Sequence, residues 1–303
     1  MIVGPGDDCA IIAASPRAQL ITIDSMVEDV HFNLEWGTPE MLGARALTVN
    51  LSDIAAMGGR PAFCVINLAI RPGLTIEFFD HLYQGLRSKA GEDGVEIAGG
   101  NITRASQLAI TIALTGEVET AAMRRDGARP GDKVYVTGTI GDAALGLRLL
   151  QGKIKAERTA GEFLINRFLN PTARIAAGRK LAQLDPCPAA IDISDGLCQD
   201  LGHILERSRV GAEIDARALP LSPAYSSIMG DDPELALSGG DDYELLFCTS
   251  TQLSEARLGR RLGVPVRCVG EITRNKGATL IGRDGSAVPL TVGGWDQLRG
   301  RLK

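Results

Sequence analysis

An uninterrupted apolar segment, AFCVINLAI at residues 62–70, constrains the fold of this chain more than any other feature. Pro61 and Pro72 bound the segment, and it is far shorter than the ~20 residues that a membrane-spanning helix needs. A strand that is apolar at nearly every position is typical of a sheet covered on both faces, usually by helices. The segment therefore predicts a buried strand in a protein that contains both helices and sheets.

Helical and strand patterns alternate along the remaining sequence. Residues 38–57 (TPEMLGARALTVNLSDIAAM) predict a helix with Thr38 as N-cap, Pro39 at the first position and Gly58 after its end. Other helices are predicted near 75–91, 141–151, 160–168 and 172–184, and a strand that runs into a helix within 188–197. Other strands are predicted near 19–24, 95–98, 107–118, 134–138, 211–215, 244–249, 265–271 and 278–281.

A polar segment rich in glycine and charge, RRDGARPGDK at residues 124–133, separates two such mixed regions. Domain boundaries commonly fall in segments of this composition. We therefore predict two domains, residues 1–123 and residues 124–303. Each has alternating helices and strands, so the predicted fold class is α/β (α+β).

The composition argues against several classes of function. The net charge is -5 and no basic segment is interleaved with aromatic residues, so a nucleic-acid-binding surface is not expected. No apolar run is long enough to cross a bilayer, so no membrane partner is expected. The six cysteines form no CxxC pair and lie mostly in apolar segments. They are therefore predicted to be reduced core residues, as is usual in the cytoplasm.

Several aspartates lie directly beside apolar segments, where turn residues in contact with water are not expected. They are Asp7 and Asp8 (GPGDDCAII), Asp24 (LITIDSMV), Asp53 (VNLSDIAAM), Asp192 and Asp195 (AAIDISDGL), and Asp241 and Asp242 (LSGGDDYELLF). Carboxylates gathered at such positions would repel one another and lose hydration. Mg²⁺ removes both costs, because it binds one or two carboxylates together with phosphate oxygens. The pattern therefore indicates a site for Mg²⁺ and phosphate.

Each aspartate also has a purely structural interpretation. An Asp next to Gly is most often a turn residue, Asp195 could begin a helix, and Asp53 could lie on a half-solvated helix face. Spacing in the sequence does not show that these side chains meet. Both interpretations stay open at this point, and the number of aspartates at apolar boundaries favours the metal site.

The familiar nucleotide-binding motifs are missing from the sequence. It contains no GxxxxGK[ST], no HRD or DFG of protein kinases, and no GxGxxG between a strand and a helix. Glycine-rich turns and metal ions would therefore have to hold the phosphates of a nucleotide. AGGNITR at 98–104 is predicted to be such a turn, because glycines let the backbone approach a phosphate, with Arg104 or Arg125 as further donor. The alternative for Gly99 and Gly100 is an ordinary β-turn.

Seven segments taken together resemble the thiamine-monophosphate kinase family. They occur in the order of the family across nearly the whole chain: GPGDDCAII, ITIDSMVEDVHF, ALTVNLSDIAAMGGRPAF, IAGGNITR, RRDGARPGDKVYVTGTIGDAALGL, IDISDGLCQDLGHI and LSGGDDYELLF. The resemblance implies the fold of the wider aminoimidazole ribonucleotide synthetase superfamily. In that fold an N-terminal α/β domain is followed by a C-terminal α/β domain, and ATP lies in the cleft between the two domains. The N-terminal domain dimerises in that superfamily, so a homodimer is expected. It also implies that ATP phosphorylates thiamine monophosphate to thiamine diphosphate by direct in-line transfer with several Mg²⁺ ions.

The resemblance also implies roles for individual residues. The implied metal ligands are Asp8, Thr22, Ile23, Asp24, Asp53, Asn101, Asp192 and Asp195. The implied ATP contacts are Gly100, Asn101, Arg125 and Ser194, and the implied contacts to thiamine monophosphate are His31, Asp241 and Trp295. No covalent catalyst is implied, because in-line transfer needs positioning and charge neutralisation.

Four positions depart from the family pattern. Asn101 stands where the family has an Asp that binds magnesium, so it offers a carbonyl oxygen without a charge. Ile23 replaces Thr or Ser and leaves only its backbone carbonyl as a ligand. Asp241 stands where a Glu is usual, and Asp93 replaces a Tyr that precedes the glycine matching Gly94, so the adenine contact is not assigned.

Two other functions are weighed against the kinase. The first is another ATP-using enzyme of the superfamily. Selenophosphate synthetase would need an early reactive thiol that Cys9 does not match, and aminoimidazole ribonucleotide synthetase would lack SGGDDYELLF. The second is a nucleotide-binding homologue with weakened catalysis, which the residues Asn101 and Ile23 favour.

Overall fold

Two units, each with helices and a mixed sheet, make up the structure, a computed structural model that describes residues 1–2, 4 and 9–290. The first unit comprises Met1–Ile54 and Gly59–Glu119, and the second comprises Ala55–Gly58 and Thr120–Lys303. Each unit combines helices with a sheet of parallel and antiparallel strands. The predicted two-domain α/β fold class is therefore confirmed.

The first unit contains a four-stranded sheet and two helices. Its elements are strands β1 (Gln19–Val27), β2 (Arg60–Ile70), β3 (Glu96–Arg104) and β4 (Ala109–Glu117), and helices α1 (Pro39–Ala56) and α2 (Ile76–Asp93). The strand order is β1-β4-β2-β3, in which β2 and β3 run parallel and the other neighbours antiparallel. β1 and β3 are therefore edge strands on opposite sides of this sheet.

Local sequence explains where both helices begin and where α2 ends. Pro39 occupies the first position of α1, where the N–H that proline lacks would have no helical partner. The Thr75 hydroxyl accepts the N–H of Phe78 at 3.3 Å and so caps α2. Gly94 ends α2 with a φ of 71°, in the left-handed region that glycine adopts without strain.

The two faces of this sheet differ in cover. On the inner face, β4 contributes the buried side chains Ile110, Ile112 and Leu114. The opposite face, here called the outer face, carries the alternating residues Ile21, Ile23, Phe63, Val65, Thr111 and Ala113. Ile21 is 80% exposed and Val65 46%. The prediction of a strand buried on both faces at 62–70 is therefore wrong within one chain, because only inner-face residues of β2 are covered.

The turn predicted at 98–104 is also wrong, because this segment forms most of β3, whereas its predicted contact with phosphate stays a prediction. It pairs in parallel with β2, with a register shift between Cys64 and Val65 that lies beside Gly99, whose φ is 152°. A Cβ at Gly100 would lie 2.1 Å from the Ile66 carbonyl oxygen. Gly100 thus serves a close contact between two strands, whereas a Cβ at Gly99 would have no heavy atom within 4 Å.

The second unit contains a seven-stranded sheet. Its strands are β5 (Lys133–Thr137), β6 (Ala189–Asp192), β7 (Gly211–Asp215), β8 (Leu245–Thr249), β9 (Val266–Thr273), β10 (Gly277–Ile281) and β11 (Ala287–Pro289). Its helices are α3 (Asp142–Leu150), α4 (Arg158–Leu169), α5 (Ile175–Leu181), α6 (Leu197–Ser208), α7 (Pro223–Met229), α8 (Glu234–Ser238) and α9 (Glu255–Leu262). The strand order is β11-β10-β7-β9-β5-β8-β6, with β7 and β10 parallel and the other neighbours antiparallel.

Apolar clusters cover both faces of this second sheet. Along β5, Val134 and Val136 belong to one cluster, whereas Tyr135 points into the other and stacks on Phe247 with ring centres 5.2 Å apart. Helix α5 is shorter than the predicted 172–184, and turn and bend residues follow it at 182–186.

The cysteines are free, as predicted. Cys64, Cys198 and Cys248 are buried, and burial raises the pKa of the Cys64 thiol to about 11. Cys9 is exposed and is therefore not a core residue. Within residues 1–2, 4 and 9–290, none of the helices has the length and apolar character needed to cross a bilayer.

Candidate active site

Two predicted metal ligands of the first unit meet where β1 faces α1. The Thr22 hydroxyl donates a hydrogen bond to the Asp53 carboxylate. Thr22 lies opposite the buried Leu114 in the sheet, and Asp53 lies in the last turn of α1, within the helix predicted at 38–57. The contact places a hydroxyl oxygen beside a carboxylate, and Mg²⁺ prefers such oxygen ligands.

Asn50 holds Asp24 in the same region. The Asn50 side chain is fully buried, its Oδ1 accepts the N–H of Asp24 at 3.0 Å, and its Nδ2 donates to the Ala46 carbonyl at 3.0 Å. Asn50 lies one turn before Asp53, so α1 positions both Asp24 and Asp53. Asn50 is not among the residues predicted from the sequence, although its spacing of three residues from Asp53 was a usable signal.

Ile23 lies on the outer face of the sheet, opposite Ala113, and its side chain is 65% exposed. Its carbonyl shares a peptide unit with the N–H of Asp24. The C=O and N–H of a trans peptide point in opposite directions, so this carbonyl points away from Asn50.

Gly100 and Asn101 lie at the opposite edge of the sheet from these residues. Asp24 and Gly100 share one row of residues across the sheet. They are separated by three strand spacings, about 14 Å. The Asn101 amide donates to Oδ1 of Asn67 at 2.9 Å, on the outer face. A single chain therefore does not bring Asn101 together with the Thr22–Asp53 pair.

His31 lies in the turn after β1, and its ring orientation is defined by the backbone. Its Nδ1 accepts the N–H of Val27 at 3.1 Å, and its carbonyl accepts a hydrogen bond from Nη1 of the buried Arg45 at 3.2 Å. With Nδ1 as acceptor, the neutral ring carries its proton on Nε2. His31 thus offers a hydrogen-bond donor at Nε2.

In the second unit, a strand runs into a helix as the sequence predicted, with Ser194 and Asp195 between them. Asp192 is the last residue of β6 and is buried, whereas Ser194 and Asp195 are half-buried. Gly196 precedes α6 with a φ of 116°, which side-chain-bearing residues rarely adopt.

Asp200 organises the backbone of this loop. Its Oδ2 accepts the N–H groups of Ser194, Asp195 and Gly196, each at 3.1 Å. Burial and the Asp192 and Asp195 carboxylates raise the pKa of Asp200 to about 8, and the N–H donors act in the opposite direction. Sequence reasoning missed Asp200, which is the last acid of DISDGLCQD.

The loop before β8 packs on the same backbone. The N–H of Asp241 donates to the Ser194 carbonyl at 2.9 Å, and that of Tyr243 to the Ile193 carbonyl at 2.8 Å. Asp241 and Tyr243 have φ values of 68° and 53°, which are uncommon outside glycine. A Cβ at Gly240 would lie 2.3 Å from the Ser194 carbonyl oxygen, so this approach requires glycine. Asp241 therefore lies beside Ser194.

Electrostatic interactions connect Asp195 with further residues of this region. Burial is the main factor that raises the pKa of Asp195, and the Asp241 carboxylate acts in the same direction. His203, the hydrogen bond from Gln199 at 3.0 Å and the charge of Arg125 oppose the shift. The structure thus brings three predicted residues, Asp195, Asp241 and Arg125, into one neighbourhood, together with Gln199 and His203, which the sequence analysis missed.

Residues 1–2, 4 and 9–290 contain no group of three or more His, Cys, Asp or Glu side chains that could hold a metal ion by themselves. Mg²⁺ does not require such a group, because phosphates and water complete its shell. The Thr22–Asp53 pair and the Asp192–Asp195 segment have oxygen donors that fit this ion. The convergence of carboxylates from both halves stays a prediction, and Asp7, Asp8 and Trp295 lie outside the described residues.

Both halves of the chain match known domains. Residues 6–118 match the N-terminal domain, and residues 129–283 the C-terminal domain, of AIR synthase related proteins. The fold and the site thus define a two-domain protein of the AIR synthase related class.

Similarity to individual relatives identifies the family within this class. The thiamine-monophosphate kinase of Salmonella typhimurium strain LT2 is 40% identical over 301 residues, which cover 97% of this chain and 91% of that protein. The structure of thiamine-monophosphate kinase from Stenotrophomonas maltophilia K279a has a TM-score of 0.84 and 36% identity, and the match covers 94% of this chain and 92% of that one. A structure of AaThiL complexed with AMPPCP and TMP has a TM-score of 0.82 and 35% identity, with coverage of 96% and 91%. The chain belongs to the thiamine-monophosphate kinase family, which confirms the resemblance and makes it a member of a family of kinases.

Proposed function

We propose that this protein transfers the γ-phosphoryl group of ATP to thiamine monophosphate and so produces thiamine diphosphate and ADP. One observation carries the proposal: the structural similarity to AaThiL complexed with AMPPCP and TMP extends over 96% of this chain. AMPPCP is an analogue of ATP, so that relative holds a nucleotide together with a second ligand.

The proposed reaction is a direct in-line transfer. A phosphate oxygen of thiamine monophosphate attacks the γ-phosphorus of ATP, the bond from that phosphorus to the bridging oxygen breaks, and ADP leaves with the electron pair. The protein has to align two anions and offset their charge, and it needs no nucleophile of its own. The proposed ATP contacts are Gly100, Asn101, Arg125 and Ser194, and the proposed contacts to thiamine monophosphate are His31, Asp241 and Trp295.

Mg²⁺ is the proposed cofactor, with several ions bound. The proposed ligands are Asp8, Thr22, Ile23, Asp24, Asp53, Asn101, Asp192 and Asp195. The contact between the Thr22 hydroxyl and the Asp53 carboxylate supports this assignment most directly, because it joins two oxygen donors in one place. Bound Mg²⁺ supplies positive charge against the phosphates, which an acidic protein otherwise lacks.

We also propose a homodimer that forms through the outer face of the first unit. This face exposes Ile21, Ile23 and Val65 next to one another and contains a groove of about 710 Å³. Large apolar side chains exposed side by side are typical of an interaction surface. Asn101 also borders this groove, so a second copy offers it contacts that its own chain does not.

Product formation tests the proposed function. Purified protein with Mg²⁺, ATP and thiamine monophosphate should form thiamine diphosphate and ADP in equal amounts, as measured by chromatography. Asp53→Asn removes one carboxylate charge beside Thr22 and is expected to lower turnover at least about 10-fold. Asp80→Asn changes an exposed carboxylate on α2 and should keep the wild-type rate.

Three results would count against these proposals. Folded wild-type protein that makes no product above the blank would exclude the kinase function. A wild-type rate in Asp53→Asn would contradict the proposal that Asp53 is a ligand of Mg²⁺. ATP binding without turnover, restored by Asn101→Asp, would identify a homologue with weakened catalysis.

A further inference from the structure

Three consecutive backbone N–H groups converge on one buried side chain in the second unit. Ser194, Asp195 and Gly196 each donate to Oδ2 of Asp200 at 3.1 Å. Asp200 lies in the first turn of α6 and is 2% exposed. Consecutive amides that point to one place form an arrangement that binds anions, and here the chain fills it with its own carboxylate.

The same loop is held from its other side. The carbonyls of Ile193 and Ser194 accept the N–H groups of Tyr243 and Asp241, at 2.8 and 2.9 Å. Gly196 has no side chain with which to cap α6, and Asp200 instead accepts the N–H groups of all three loop residues. The loop is thereby clamped between α6 and the segment before β8.

We propose that Asp200 is a positioning residue, which orients the backbone of 194–196 so that the Ser194 and Asp195 side chains meet Mg²⁺ and nucleotide. This inference rests on the proposed function. Asp200 is too deeply buried to meet the ligand itself, so it acts through Ser194 and Asp195. Because Asp241 is hydrogen-bonded to Ser194, the same carboxylate also sets the place of Asp241.

The test compares Asp200→Asn and Asp200→Ala with Asp132→Asn. Asp132 is likewise buried and accepts a backbone N–H, that of Arg129 at 2.8 Å, in a turn without proposed site residues. Four quantities are measured for each variant: the melting temperature, the affinity for AMPPCP with Mg²⁺ by calorimetry, and kcat and KM for ATP with thiamine monophosphate as acceptor.

Asp200→Asn keeps one acceptor oxygen but replaces the other with an NH2 group, which cannot accept the loop N–H groups. It is expected to weaken the binding of AMPPCP with Mg²⁺ about 10-fold and to raise the KM for ATP by a similar factor. Asp200→Ala has no acceptor oxygen, so its affinity for AMPPCP with Mg²⁺ should fall further. If Asp200→Ala does not fold, the result for Asp200→Asn alone tests the role of Asp200. Asp132→Asn should lower the melting temperature while the affinity and the KM stay at the wild-type values.

Unchanged affinity and KM in folded Asp200→Asn would overturn the inference, and so would an equal loss of affinity in Asp132→Asn. Wild-type protein that binds AMPPCP with Mg²⁺ but makes no thiamine diphosphate would contradict the proposed function alone, and the binding comparison would still decide the role of Asp200. Wild-type protein that does not bind the nucleotide would contradict both.

Discussion

At the scale of single residues, some buried acidic side chains of this protein accept hydrogen bonds from backbone N–H groups, and others border the candidate site. Asp242 is one of the aspartates that the sequence suggested for a metal site. It is almost fully buried, and its carboxylate accepts the N–H groups of Gly141 at 2.6 Å and Ala143 at 3.2 Å, at the start of α3. Glu244, two residues later, is clamped by Arg167 and Arg174. Asp242 and Glu244 thus stabilise the loop that carries Asp241.

The burial of Asp242 predicts a pH dependence of stability. Burial raises its pKa to about 8, whereas an unfolded Asp titrates near 4. The folded state therefore binds this proton more tightly, so the contribution to stability is complete below about pH 4 and is lost as the pH rises to about 8. Between pH 6 and pH 8 we expect wild type to lose up to about 2 kcal/mol of unfolding free energy through this group. Asp242→Asn has no carboxyl to titrate, so its unfolding free energy should not fall in this way. Urea unfolding of both proteins at pH 6 and pH 8 measures the difference. An identical pH dependence in both would show that Asp242 is not the group responsible.

At the scale of elements, α1 and α2 contact each other through glycines. A Cβ at Gly85 would lie 1.9 Å from the Glu40 carbonyl oxygen, and one at Gly43 would lie 2.1 Å from the Leu82 carbonyl oxygen. No side chain fits at either position without moving the helices. This contact sets the place of α1, and with it the place of Asp53.

Alanine at two glycines of α2 should therefore have opposite effects. Gly85→Ala forces α1 and α2 apart and is expected to lower the unfolding free energy by about 1–3 kcal/mol. Gly91 has no heavy atom within 4 Å of a built Cβ, so Gly91→Ala should be neutral or stabilise by up to about 1 kcal/mol through helix propensity. Thermal or urea unfolding distinguishes the two, and equal destabilisation would show that packing is not the cause.

At the scale of the whole molecule, the outer face of the first unit predicts the oligomeric state. Sedimentation should give a dimer for wild type and a shift to monomer for Ile21→Arg, because the charge would be buried in the interface. Ile76→Arg is the matched control, since Ile76 is also exposed, at 77%, but begins α2 and belongs to no strand of the sheet. A monomeric wild type, or a dimer that Ile21→Arg leaves intact, would remove this proposal.

Local patterns in the sequence by themselves determined the alternation of helices and strands, the start of α1 at Pro39 and the Ser194–Asp195 loop between β6 and α6. Each depends on neighbouring residues, because proline sets its own φ and capping and turn preferences act within a few positions. The family resemblance named Thr22 and Asp53 among the candidate ligands, and the structure places these two in contact.

Only the tertiary structure decided which residues meet across the fold. Strand order places Asn101 on the edge opposite Asp24, and strand pairing turns 98–104 into β3 although paired glycines in sequence suggest a turn. The three amides on Asp200 and the open outer face likewise depend on how distant segments pack. A residue pattern encodes the tendencies of one segment, whereas these contacts are set by the shared burial and hydrogen bonding of several segments at once.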